Sequence, residues 1–356
     1  MVHAFLPDYA IPPGNTLREV LEERGVSQAD LSIRTGLTKK TINQIIAGVA
    51  AISYETAEKL EMVLGIPSRF WNSRESQYRE CLMRKAEAER LEADAEWLKL
   101  IPVKELVARG HISPESNKGH LVMEVLKFFQ VSSVAAWNEV WLQPQVQFRG
   151  AKAQCNHPGY VAAWIRIGEM TAAQMECGPY DEKKFRAAVV AIRQLVTQPA
   201  SVWRPKMKEL CAAAGVAVVL VPEIPSAGVS GVTKWLTKDK AILLLSLKYK
   251  TDDQLWFSFF HEVCHILKHK KVTFYEDGRS KDSPEEREAD LFAASILIPP
   301  QHAESLRKLK GRAEIERFAK VVNVSPGIVV GRLQHDGIIP PTHFWNLKTK
   351  YKWGDN

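Results

Sequence analysis

The 356-residue chain has no apolar run of about 18 residues, the length needed to span a bilayer, so a transmembrane helix is excluded. Its start, "MVHAFLPDYAIPPG", lacks a basic segment followed by an apolar one. No secretory signal is therefore expected, and the chain reads as cytoplasmic, with no membrane partner. Cysteine is sparse. Cys81, Cys155, Cys177, Cys211 and Cys264 are odd in number and widely scattered, which excludes a disulfide framework and a CxxC metal knuckle. No strong excess of one charge is present either: a net charge of +7 permits a nucleic-acid partner without requiring one. The length exceeds what one compact core holds, so several domains are expected.

The first fifth of the chain breaks into short, clearly punctuated helical units. "TLREVLEERG" stops at Gly25, "SQADLSIRTG" runs from Ser27 to Gly36, "TKKTINQIIAG" from Thr38 to Gly48, and "SYETAEKLEMVLG" from Ser53 to Gly65. Each of the last three opens on a good N-cap, and all four close on glycine. Two short helices joined by a glycine-containing turn form a helix-turn-helix, whose second helix enters the major groove of DNA. Ile42, Ile45 and Ile46 face the core in this arrangement, leaving Thr38, Lys39, Lys40, Thr41, Asn43 and Gln44 outward. Lysine suits phosphate or guanine, Asn and Gln suit adenine, and Thr suits a hydrogen bond or a thymine methyl. Gln28, at the start of the preceding helix, is placed near a phosphate. Between Gly14 and Ile66 six basic residues stand against seven acidic ones, so DNA affinity depends on local placement of charge. The segments "PPGNTLREVLEERGVSQADL", "TINQIIAG", "AISYETAEKL" and "LGIPSRFWNSRESQY" resemble the Cro/C1-type helix-turn-helix family and, within it, the HigA-like antitoxins. The resemblance implies a double-stranded operator as partner.

From Arg69 to Leu100 the chain is rich in Arg, Lys, Glu and Ala, and one long helix is predicted, either a solvated spacer or the contact of a homodimer. Helical spacing continues in "LVMEVLKFFQV", "YVAAWIRIGEM" and "KKFRAAVVAIRQLV", with Trp137, Trp141 and Trp164 expected in the core. Strands are then predicted at "GVAVVLV", "GVSGVTKWL" and "AILLLSL", with a turn at Lys238 to Lys240. The domain reading is a helix-turn-helix domain over 1–68, a helical linker over 69–101, a helical middle over 102–204 and a domain with a helical cap over 205–356, which the metal-ligand spacing described next is expected to make a zinc metallopeptidase. The fold class is multidomain: an all-α N-terminal bundle and helical middle, then an α+β domain that the same spacing makes zincin-like.

In "QLWFSFFHEVCHILKH", with Asp252 or Asp253 as cap, apolar residues go nearly all the way round, which describes a buried helix. A carboxylate in such surroundings is costly unless it is partnered. His261 and His265, four apart, share one helical face and can share a cation, and Glu262 beside them can act on a water as general base. A catalytic zinc needs a third ligand. The helix predicted from Ser283 to the stop at Pro299 and Pro300 carries Glu286 and Asp290 on one face, beside Ala289 and Ala293. Glu286 is read as the ligand, Asp290 as the acceptor of an imidazole N–H behind it, and Glu288 as the reserve ligand. No suitably spaced Cys or His completes a closed structural zinc site.

"LCAAAGVAVVLVPEIP", "SGVTKWLTKDKAILLLSLKYKTDDQLWFSFFHEVCHILKH" and "EREADLFAASILIP", with weaker echoes in "VSPGIVVGRLQH", resemble the ImmA/IrrE family of zinc metallopeptidases. The family commonly has glycine where Cys264 stands, and Cys264 reads as an inert core residue. The resemblance implies Zn2+, with Mn2+ as an alternative, and cleavage of a protein partner such as a repressor or antitoxin. The other reading is a non-enzymatic HigA-like repressor whose metal domain senses a ligand or binds a partner. An extended substrate is expected to pair with the strand near Ile242 to Leu247, and His269, Tyr275 and His335 are the candidates for the oxyanion donor. The segment "GRAEIERFAKVVNVSPGIVVGRLQ" is expected to form two helices around Asn323 to Pro326 that cap the peptidase core, with the basic, aromatic tail packed against it.

Overall fold

The computed structural model describes residues 10–142, 157–246, 251–269, 274–276 and 283–352. The chain divides into two compact units, 1–95 with 115–123, and 96–114 with 124–356.

In the first unit, α1 (Pro13–Glu23), α2 (Gln28–Thr35), α3 (Lys39–Ile46), α4 (Tyr54–Leu64) and α5 (Ser68–Leu91) follow the punctuation of the sequence. Ser27, Thr38 and Ser53 each accept a backbone N–H at the start of the helix that follows, satisfying donors that lack an intrahelical partner. Gly36 ends α2 in the left-handed region at φ 71°, where a Cβ is disfavoured, and so turns the chain into α3. Leu17, Leu21, Leu31, Ile42, Ile45, Leu60 and Trp71 form the core. Each such side chain contributes about 1.5–3 kcal/mol when buried. The buried Glu75 of α5 accepts the Ile52 N–H at 3.1 Å and pairs with Arg79, tying α5 to the turn before α4. The single helix expected over 69–100 instead ends as an α-helix at Leu91 and tightens to a 3-10 helix over Glu92–Leu100. The change of pitch accompanies the burial of Trp97, whose ring lies 5.5 Å from that of Trp137.

The second unit contains α6 (Pro158–Ala173), α7 (Glu182–Arg193) and α8 (Ala200–Ala213), followed by β1 (Val216–Leu220), β2 (Gly231–Thr237) and β3 (Lys240–Leu245). Next come α9 (Asp252–Lys268), β4 (Phe274–Glu276), α10 (Pro284–Leu297), α11 (Arg312–Val321) and α12 (Pro326–His335). The sheet order is β1-β3-β2-β4. β1 runs parallel to β3, with Val216 opposite Ala241, and β2 is antiparallel to both β3 and β4. Trp137, Trp141 and Trp164 are buried, as expected. The chain is therefore multidomain, with an all-α N-terminal bundle and an α+β second unit. Among the described residues, no helix is long and apolar enough to cross a membrane.

Two expectations need correction. β3, expected to receive an extended substrate, lies between β1 and β2 with both edges already hydrogen-bonded. Its run "AILLL", without polar alternation, fits a central strand buried on both faces. Nor do Asp252 and Asp253 cap α9. The cap position is Thr251, and both aspartates occupy the first turn, buried and engaged elsewhere. Asp252 accepts the Ser325 hydroxyl at 2.5 Å and the Thr349 N–H at 3.1 Å, and Asp253 pairs with Lys348 at 2.6 Å. Through these bonds, and the ring contact of Tyr351 with Trp203, the tail packs against the core. α11 and α12 do likewise: Ile328, Val329 and Val330 are buried in the same cluster as Trp256, Phe259 and Phe260 of α9.

Candidate metal centre and helix-turn-helix face

α9 is buried almost throughout, and its polar residues His261, Glu262 and His265 are at most 1% exposed. α10 packs against it, starting at Ser283, whose hydroxyl accepts the Glu286 N–H, and Ala289 and Ala293 are fully buried. This close packing brings Glu286 to the two histidines. The Nε2 atoms of His261 and His265 are 3.1 Å apart; Glu286 places Oε2 3.1 Å from the first and Oε1 3.5 Å from the second. A tetrahedral zinc bonded at about 2.0–2.1 Å to each ligand holds its ligand atoms about 3.3 Å apart, so the three side chains fit such an ion. Among the described residues, this is the group of His, Cys, Asp and Glu side chains that converges on a metal-sized space.

Electrostatics agree with the geometry. Burial first, then the neighbouring His261 and His265–His269 contact, pushes the His265 imidazole down to about 2, so it is neutral and keeps a lone pair for a cation. Asp290 Oδ1 lies 2.9 Å from His261 Nδ1. A carboxylate accepts only, so a neutral His261 that donates from Nδ1 to Asp290 faces Glu286 with the Nε2 lone pair, acceptor to acceptor. Three acceptors gathered in a buried space are reconciled by a cation.

Glu262 is fully buried beside this cluster. The Thr233 hydroxyl on β2 donates to its Oε2 at 2.5 Å, and Gly231 on the same strand lies against the same carboxylate. A Cβ at Gly231 would fall 2.6 Å from Glu262 Oε1, so glycine is what lets the strand approach. Neither residue stood out in the sequence; the signal was a glycine inside a strand, which marks close backbone approach.

The remaining candidates are placed as follows. Glu288 turns away from the three ligands to Lys268 at 2.7 Å and His269 at 3.2 Å. Glu285 is exposed. His269 contacts His265 at 2.8 Å between their Nδ1 atoms. His335 is exposed, with its ring 6.4 Å from that of Phe257, which in turn lies 6.2 Å from His261. Tyr275 is on β4, and its side chain lies outside the described set. Cys264 is fully buried, and burial pushes its thiol up to about 12, which leaves it unreactive.

In the first unit, Gln28, Thr38, Lys39, Lys40 and Asn43 are exposed, while Thr41 and Gln44 are half-buried. The Thr38 hydroxyl accepts the Thr41 N–H at 3.1 Å and lies 2.8 Å from the Thr41 hydroxyl, so both threonines help to close the start of α3. Arg34 and Lys59 are paired within their helices to Asp30 and Glu55. Among the described residues, Lys39 and Lys40 carry no ion pair and stand in the first turn of α3, where the helix dipole also favours an anion. The module is balanced in charge overall, yet it concentrates unpaired positive charge at one helix start.

These two sites define a protein with a helix-turn-helix module and a zincin-like α+β unit. Comparison with protein families agrees: residues 17–71 match the helix-turn-helix family model, and residues 214–334 match the IrrE N-terminal-like domain. The chain thus joins a Cro/C1-type DNA-binding domain to an ImmA/IrrE-like peptidase domain, the composition of a regulator that carries a protease-like domain. No curated protein matches it.

Proposed function

We propose that this chain is a DNA-bound regulator whose second unit is a zinc-dependent endopeptidase acting on a protein partner, such as a repressor or antitoxin. The observation that carries the reading is the convergence of His261, His265 and Glu286 beside a buried Glu262 held by Thr233. His261, His265 and Glu286 would hold the metal, Zn2+ or alternatively Mn2+, with Asp290 orienting His261. When bound, it would supply a positive charge able to polarise a carbonyl and to make a nearby water more acidic. Glu262 takes the proton of that water and returns it to the leaving amine, and Thr233 keeps its carboxylate aimed. Among the described residues the outer strands are β1 and β4; β4 pairs with β2, whose Thr233 and Gly231 touch Glu262, so an extended peptide bound for this centre adds to the sheet at β4. On the DNA side, Lys39, Lys40 and Gln28 contact phosphate, while Asn43, Gln44, Thr38 and Thr41 meet base edges or backbone, and a homodimer presents two such helices to an operator.

Metal analysis of purified variants tests the ligand set. Glu286→Ala is expected to lose zinc while Glu288→Ala keeps it. Loss of zinc from the Glu288 variant alone would overturn the assignment.

A further inference from the structure

The two metal-binding histidines are supported differently. His261 Nδ1 meets a carboxylate directly, at Asp290. His265 Nδ1 meets instead a second imidazole, that of His269, at 2.8 Å, and the far nitrogen of His269, Nε2, lies 3.2 Å from Glu288 Oε2. The His269 side chain is 7% exposed, although the residue is the first beyond the end of α9. Lys268 holds the other oxygen of Glu288 at 2.7 Å.

With both imidazoles neutral, this chain of contacts has one proton order. The Glu288 carboxylate accepts only, so His269 donates from Nε2 and its Nδ1 is an acceptor. His265 therefore donates from Nδ1, which leaves its Nε2 lone pair aimed at His261 and Glu286. We propose that His269 is a positioning residue for the metal centre: it fixes the tautomer and ring orientation of His265, with Glu288 as its outer anchor. Metal-binding histidines depend on such a partner at the second nitrogen, and removing it commonly costs about 10–100-fold in metal affinity. On this account the segment "EREAD" serves one centre three times, through Glu286 as ligand, Glu288 behind His269 and Asp290 behind His261. The proposal rests on the metal-centre reading above and adds a residue that it does not require.

The test is Zn2+ affinity of the full chain by competition with a chromogenic chelator, together with the visible spectrum of the Co2+-loaded protein. His269→Leu is expected to weaken zinc binding about 10–100-fold while leaving the Co2+ band shape of the wild type. His269→Asn sets its amide oxygen where Nδ1 stood and restores most of the affinity, whereas His269→Gln, whose amide falls at the Nε2 place, does not. Glu288→Ala gives a smaller loss in the same direction. Wild-type affinity in His269→Leu, or equal weakness in the Leu and Asn variants, overturns the proposal alone. So does a changed Co2+ band, which would make His269 a ligand. A wild-type chain that binds no zinc overturns the metal-centre reading itself.

Discussion

Substitution of Gly231 by alanine tests the strand-to-helix contact that holds Glu262. The added Cβ would lie 2.6 Å from Glu262 Oε1, 2.9 Å from Cγ and 3.1 Å from Cδ. Neither side can yield easily, since β2 is paired on both edges and α9 is buried almost throughout. The carboxylate must swing away and give up the Thr233 hydrogen bond. Overpacking costs about 1–3 kcal/mol, and losing a hydrogen bond to a charged group about 1.5–3 kcal/mol, so Gly231→Ala is expected to destabilise the second unit by about 2.5–6 kcal/mol. In a Glu262→Ala background all three clashing atoms are gone. Gly231 is not in the left-handed region, so there the same change is expected to be neutral or to stabilise by about 0.4–1 kcal/mol through the unfolded chain. Urea unfolding followed by tryptophan fluorescence reads the difference, because Trp71 is the one tryptophan of the first unit and the other nine belong to the second. An equal cost of Gly231→Ala in both backgrounds would refute the contact as the cause.

Further outcomes follow from the same structure. Thr233→Val is expected to keep zinc content while lowering the cleavage rate about 100-fold, the scale of a misplaced catalytic group, and Thr233→Ser is expected to recover most of the rate; a Val variant with unchanged rate contradicts the positioning role. Lys39→Ala with Lys40→Ala is expected to weaken operator binding and to flatten its log–log salt dependence by about two units, since each phosphate contact contributes about 0.9. An unchanged slope in a salt titration removes α3 from the interface. Lys348→Met leaves the buried Asp253 carboxylate, 5% exposed, without its cation and is expected to cost about 3–5 kcal/mol. Adding Asp253→Asn is expected to restore much of that loss, and chemical denaturation that shows no such recovery argues against the pair.

Periodicity and spacing made much of this legible. His261, Glu262 and His265 are set by one helical turn, and Glu286 and Asp290 by the next helix, so local geometry alone sorts them into a group of three and a pair. Ser27, Thr38 and Ser53, with the glycines after them, marked the helix-turn-helix boundaries because capping is local chemistry. Thr233 left no mark in the sequence and Gly231 only a glycine within a strand, because their partner is 29 or more residues away and reaches them only through packing of α9 on the sheet. The role of β3 was misread because an apolar run marks a strand without saying which neighbours it has, although the lack of alternation did point to a central position. Asp252 and Asp253 looked like caps by type and place. They turned inward because the tail, far along the chain, supplies Lys348 and Thr349.

The central claim is that Glu262 serves a peptide-cleaving metal centre, and the most direct measurement compares the new protein N-termini in cells producing the wild-type chain with those in cells producing Glu262→Gln. The account predicts that the variant keeps its zinc and its operator binding, and that one or a few new termini present with the wild type vanish. Termini that are identical in the two cell populations, with zinc bound in both proteins, would contradict it.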